Sequence, residues 1–182
     1  MNDFLEKRFS KLQPDGDTQA RDVCDRCGFV DYQNPKIVVG SVVEHDGRIM
    51  LCRRAIEPRY GYWTVPAGYL ELGETPVEGA KREAFEEANA TLELHELMAV
   101  YTVRRLSQVQ LIYRASLAAP DFSAGEESLD VQLFEWPEIP WDELAFPTVR
   151  WMLDDFSAWK AGKRVLPTSN PTGADEDLRN HA

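Results

Sequence analysis

Three glutamates, Glu83, Glu86 and Glu87, lie close together within the stretch Gly68 to Ala90, GYLELGETPVEGAKREAFEEANA. At ~100° per residue they fall within about 100° of one another on one helical face. Locally this grouping is unfavourable. Glu83 and Glu87 are like charges at i,i+4, and Glu86 and Glu87 sit near the negative end of the helix, each effect costing a few tenths of a kcal/mol. A divalent cation offsets both, because hard ions such as magnesium are bound by carboxylate oxygens and water. Without further features, an acidic face that is merely solvated explains the same three residues.

The elements that position these acids are written around them. Thr75, Pro76 and Glu78 make a helix start, with a hydroxyl N-cap, proline at the first helical position and a glutamate closing a capping box. The spacing predicts a helix from Pro76, stopped at Asn89, a residue that tolerates the left-handed conformation. Val77, Ala80, Ala84 and Ala88 form an apolar stripe beside the acids. Ahead of the helix, Gly68 permits close approach of the backbone to whatever the helix carries.

Gly68, then five residues, Glu74, seven residues, Arg82-Glu83, Ala84, and Glu86-Glu87 before a turn residue and Ala90 resemble the Nudix box, the signature of the Nudix hydrolase family. One position departs: the family's glycine near the end of the box is Asn89 here. The resemblance spans about 37–160 and implies an α/β fold, an α/β/α sandwich around a mixed β-sheet. It also implies magnesium or manganese as cofactor and hydrolysis of a phosphoanhydride, since cations must lie between phosphate oxygens and acids to acidify a bound water.

On that resemblance Glu83 and Glu87 are assigned as metal ligands, joined by Gly68 through its carbonyl, and Glu86 as either a ligand or the base that orients the attacking water. Arg82 points about 140° away from Glu87 at ~100° per residue, so it receives a structural role, an ion pair with Glu74. Family members often recruit another acid beyond the box, and Gly125-Glu126-Glu127-Ser128 offers Glu126 or Glu127 as ligand or general base.

Pro66-Ala67-Gly68, together with a cysteine pair near the N-terminus, resembles the branch that cleaves dinucleotides such as NADH, FAD and ADP-ribose. Members specific for NADH carry Ser-Gln-Pro-Trp after the box, whereas Ser107-Gln108 continues here as Val109-Gln110. The expected substrate is therefore ADP-ribose or FAD, with NADH less favoured, cut to AMP and a second phosphorylated product. Arg53, Arg54, Arg59, Arg104 and Arg105 are available for phosphates, and Tyr60, Tyr62 and Tyr69 for stacking on a base. Two other readings stand beside this one: a Nudix fold that senses a nucleotide without cutting it, and a pyrophosphatase that clears nucleoside triphosphates. Three clustered acids argue against the sensor, and release of pyrophosphate would mark the triphosphatase.

Residues 1–36 form a polar, turn-rich head. In it, the run Cys24 to Lys36 (CDRCGFVDYQNPK) resembles the second half of the zinc ribbon that precedes some Nudix domains. A structural zinc needs four ligands, and the first pair of cysteines is missing, so the head is expected to be a degenerate zinc-ribbon-like segment in which Cys24 and Cys27 offer half a site. Strands are expected over Ile37 to Val43 and Arg48 to Arg53 around an Asp46-Gly47 hairpin turn, and over Leu92 to Thr102, Val109 to Leu117 and Val131 to Trp136. A second helix spans Pro147 to Lys160, and 161–182, poor in apolar residues, are expected to be a mobile tail. Cys52, in an apolar strand, fits an ordinary buried thiol. With 182 residues and 43% hydrophobic composition the chain can bury a core, while a formal charge of -11 argues against a nucleic-acid partner. No signal-peptide pattern or membrane-length apolar run occurs, and the odd number of cysteines suits a reducing compartment, giving a cytoplasmic expectation. Membership of the family would make a homodimer unsurprising.

Overall fold

The computed structural model describes residues 8–174, which divide into two compact units between Pro35 and Lys36. In the first, β1 (Phe9–Leu12), β2 (Arg21–Cys24) and β3 (Val30–Asp31) form an antiparallel sheet in the order β1-β2-β3. None of these strand residues is fully buried, so backbone pairing and surface ion pairs hold them. Lys11 reaches Asp22 at 2.8 Å and Arg21 reaches Asp17 at 2.9 Å. A polar composition without an alternating apolar face explains why no strands could be assigned there from sequence.

The second unit contains β4 (Lys36–His45), β5 (Arg48–Arg54), β6 (Trp63–Thr64), β7 (Ala67–Tyr69), α1 (Pro76–Ala88), β8 (Leu92–Val103), β9 (Gln108–Leu117), β10 (Ser128–Phe134), α2 (Pro147–Lys160) and β11 (Thr168–Ser169). The Asp46-Gly47 turn joins β4 to β5 with both residues at positive φ, 50° and 79°, as a two-residue hairpin requires. The sheet runs β10-β5-β4-β9-β8-β11, with β6 on β5 and β7 on β4. It is mixed, because β4 pairs parallel to β9 and β8 parallel to β11 while the remaining pairs are antiparallel. β4 divides its pairing: near its start it meets β7 through Val38 to Gly40, and near its end it meets β5 through Glu44 and His45. The short β6 and β7 precede the glutamate helix and were not separable by pattern from the loop around them.

Successive residues of a strand face opposite ways, and Val42 and Val43 show the result. Val42 packs with Ile49, Leu51, Leu153 and Phe156 on the α2 side, whereas Val43 packs with Met50, Cys52, Ala84 and Ala88 on the α1 side. The unit is thus an α/β/α sandwich with a core on each face of a mixed sheet. No helix among the described residues is long and apolar enough to cross a membrane.

The expected mobile tail is corrected for 161–174. Leu166 packs against the α2 core, β11 pairs with Ala99 and Val100 of β8, and Ala174 is buried. The Asn170 amide also exchanges two hydrogen bonds of 2.8 Å with the backbone of Thr102. Much of the attachment is polar, which is why low apolar content misled. The carboxylate of Asp155, buried on α2, accepts from the Tyr101 hydroxyl at 2.7 Å and is also met by Arg164 and Thr168. The rest of that expected tail, 175–182, lies outside the described residues.

Candidate active site

Helix α1 is capped as its sequence dictates. The Thr75 hydroxyl accepts from the Glu78 N–H at 3.3 Å, and the Glu78 carboxylate accepts from the Thr75 N–H at 2.8 Å. At the other end Asn89 adopts the left-handed conformation with φ 46°, closing the helix with N–H bonds to Ala84 and Phe85. Asparagine thus supplies the turn that glycine would, and it adds a function glycine lacks. Its side-chain amide donates to Ser123 Oγ at 3.1 Å and to the Ala124 carbonyl at 3.1 Å, fastening the loop before β10 to the end of α1. Ser123 N–H to the Ala88 carbonyl, 2.9 Å, and Gly125 N–H to the Glu87 carbonyl, 3.0 Å, complete the attachment.

Glu83 and Glu87 are buried, with only 8% and 5% of their surface exposed. Burial raises the pKa of both carboxyls, and that of Glu87 is pushed up to about 8 despite a 3.0 Å bond from the Ala67 N–H. The neighbouring acids add to the shift, and Arg54 partly opposes it at Glu87. Gly68 lies against the Glu83 carboxylate so closely that any side chain there would overlap it.

Arg82 binds Glu74 through two nitrogens at 2.7 and 3.1 Å, and its carboxyl partner is held below the usual range by that pairing. Its reach is wider than the helical angle suggested. Nη1 also bonds Glu83 at 2.7 Å and Glu86 at 2.9 Å, and Nη2 bonds the Tyr69 carbonyl at 2.9 Å. The angle fixes only where a side chain leaves the helix, and a long guanidinium can turn back to neighbours one and four positions on. With Glu83 and Glu86 drawn to Arg82 and Glu87 drawn to Ala67, no three His, Cys, Asp or Glu side chains among the described residues converge on one point. The donor set nevertheless suits a hard cation: two buried carboxylates with a third beside them, one guanidinium shared among Glu74, Glu83 and Glu86, and a glycine leaving the space clear.

These acids open on a cleft of about 580 Å³, lined by Gly68, Glu83, Glu86 and Glu87 on one side. Glu127 lines it too, while Glu126 is not among the lining residues. Of the expected substrate contacts, Arg54, Arg105 and Tyr69 line the cleft, and Arg53, Arg59, Arg104, Tyr60 and Tyr62 do not. Arg53 instead bonds the Gly61 carbonyl at 2.9 Å, and Arg59 lies over the Tyr62 ring at 5.5 Å. The lining also includes residues that no motif marks: Gln108 and Gln110 from β9, Val103 and Leu106 before it, Phe146 at the N-cap of α2, and Thr148 and Met152 on α2. Their sequence signal was weak, since two glutamines alternating with apolar residues read as a half-exposed strand.

In the N-terminal unit, Cys24 and Cys27 flank a tight turn closed by the Gly28 N–H on the Cys24 carbonyl at 2.9 Å. Backbone N–H groups of Cys27 and Arg26 lower the Cys24 thiol pKa. No third or fourth ligand joins them among the described residues. Cys52 is buried, and burial raises its thiol pKa well above the ordinary range.

Comparison with known proteins adds three findings. Residues 34–156 match the NUDIX domain family, and residues 7–33 match the zinc-ribbon family described as Nudix N-terminal. The chain is 27% identical over 135 residues to an ADP-ribose pyrophosphatase of Methanocaldococcus jannaschii, covering 72% of this chain and 78% of that one. It is 32% identical over 71 residues to the NAD-capped RNA hydrolase NudC of Haemophilus influenzae, 38% of this chain but 27% of that one. Among solved structures, a NUDIX hydrolase from Nitrosomonas europaea shares 41% identity with a TM-score of 0.85, covering 92% of this chain and 96% of that chain.

Proposed function

The chain belongs to the Nudix hydrolase family, and from that premise we propose a metal-dependent pyrophosphatase that cuts ADP-ribose, or FAD, to AMP and a second phosphorylated product. The observation that carries this reading is the pair of buried glutamates lining a nucleotide-sized cleft, Glu83 against Gly68 and Glu87 on the Ala67 N–H. Similarity to the archaeal ADP-ribose pyrophosphatase over most of both chains supports the substrate class.

Glu83, Glu87 and the Gly68 carbonyl would hold the cation, and Glu86, which bonds Arg82 at 2.9 Å, would be a further ligand. When bound, magnesium or manganese supplies neutralisation of the phosphate oxygens and acidity to a coordinated water. Glu127, or Glu86 if it is not a ligand, takes the proton of the attacking water at a carboxylate oxygen. Arg54 and Arg105, which line the cleft, bind phosphate oxygens, and Arg82 keeps the Gly68 loop against the helix through Glu74 and the Tyr69 carbonyl. In the N-terminal unit, Cys24 and Cys27 act as a structural turn, and zinc is held there only if two ligands come from elsewhere.

Incubation with ADP-ribose, FAD, NADH and nucleoside triphosphates in magnesium tests the proposal. AMP released from ADP-ribose or FAD is the expected product. Pyrophosphate from triphosphates, or tight binding without turnover, would replace this reading with a triphosphatase or a sensor.

A further inference from the structure

Gln110 carries an amide oxygen that is shut away from solvent and has no hydrogen-bond partner, although the residue lines the cleft. Buried acceptors are almost always paired, so an orphan inside a ligand cleft points to a donor that arrives with the ligand. The surroundings specify what kind. On the sheet, Gln110 pairs with Val38, which in turn pairs with Tyr69, so these three side chains share one face. Val103, Leu106 and Met152 supply apolar wall around it. Gln108 next along this face is already engaged, donating to the Tyr69 hydroxyl at 3.1 Å, whereas the Gln110 amide oxygen stays unpaired. A flat aromatic heterocycle with polar edges fits such a pocket; a phosphate or a bare sugar gains nothing from its walls.

We infer that Gln110 is the base-reading residue of the cleft, pairing its amide with the edge of an adenine. An amide presents one donor and one acceptor side by side, matching adenine's amino group and adjacent ring nitrogen once the amide turns about its last bond. The inference rests on the nucleotide pyrophosphatase reading above and names the moiety that reading leaves open.

The test separates binding of the base from the chemistry. Binding of AMP and of ribose 5-phosphate is measured by calorimetry in EDTA, where no turnover occurs, for the parent, Gln110→Leu and Gln110→Glu. AMP is expected to bind the parent more tightly than ribose 5-phosphate, and Gln110→Leu to weaken AMP about tenfold, one hydrogen-bonded pair at ~1.4 kcal/mol, while leaving ribose 5-phosphate unchanged. Gln110→Glu, which has no donor, should weaken AMP similarly and raise relative affinity for GMP, whose edge offers two donors. Equal affinity of the parent for AMP and ribose 5-phosphate, or AMP bound by Gln110→Leu as by the parent, overturns the inference. In turnover assays the variant should raise KM for ADP-ribose with kcat little changed. A parent that binds AMP through Gln110 yet cuts no diphosphate would sink the hydrolase proposal and leave this one standing.

Discussion

A β-carbon on Gly68 would stand 2.3 Å from Oε2 of Glu83, far inside van der Waals contact. The strand before the helix and the acid on it are therefore fitted to each other, and neither can be altered alone. Gly68→Ala is expected to displace the Glu83 carboxylate while the sheet and helix persist. A misplacement of about 1 Å at reacting groups costs on the order of 100-fold in rate. Circular dichroism should match the parent, and kcat with magnesium should fall by about that factor.

Replacing Glu83 or Glu87 by Gln removes a charged oxygen ligand without changing shape. Each change should lower kcat roughly 100-fold or more and weaken manganese binding, read by electron paramagnetic resonance. A Glu83→Gln variant as fast as the parent would end the metal proposal.

Burial raises the Glu87 carboxyl pKa from 4.5 to about 8, so without metal its neutral form belongs to the folded state. Stability from this group is fully present below pH 4.5 and is lost as pH rises through about 8, because the unfolded chain ionises first. Glu87→Gln has no such term. In EDTA its Tm relative to the parent should climb between pH 5 and pH 8.5, by a few degrees for ~1 kcal/mol or more. A constant difference across that range would show that Glu87 is already ionised and accommodated.

Glu126 and Glu127 adjoin in sequence, but only Glu127 lines the cleft and acts electrostatically on Glu83 and Glu87. Glu127→Gln should cost at least ~10-fold in kcat as loss of a general base. Glu126→Gln should stay within a few-fold. The reverse order would reassign the role.

Asn89→Gly keeps the left-handed turn and releases the amide bonds to Ser123 and Ala124. The loop bearing Glu127 then loses its tether, so kcat should drop several-fold with helix content intact. Asn89→Ala, which also strains a positive φ, should in addition lower Tm by a few degrees, for ~1 kcal/mol or more.

How far the sequence carried differs sharply between the two sides of the cleft. Thr75, Glu78, the three acids and Asn89 are local signals on one helix, and α1 begins and ends where they place it. The rest of the lining brings together Arg54, Gln110 and Phe146, from β5, β9 and the N-cap of α2, which only the tertiary fold joins. Arg53 and Arg54 show why proximity in sequence was a poor guide. Strand alternation sends them to opposite faces, so Arg53 braces the following loop at Gly61 while Arg54 reaches the cleft. The C-terminal attachment was hidden for another reason: Asp155 and Asn170 hold it by hydrogen bonds, which leave no hydrophobic period to read.

That attachment has a consequence for association between molecules. β8 is the outermost long strand on its side of the sheet, and a bare strand of that length is a template for a foreign chain. β11 covers Ala99 and Val100, and Asn170 then mimics one more backbone residue opposite Thr102. The chain thereby supplies its own decoy partner, and proteolytic clipping beyond Lys163 would bare β8 and open it to strand-to-strand aggregation.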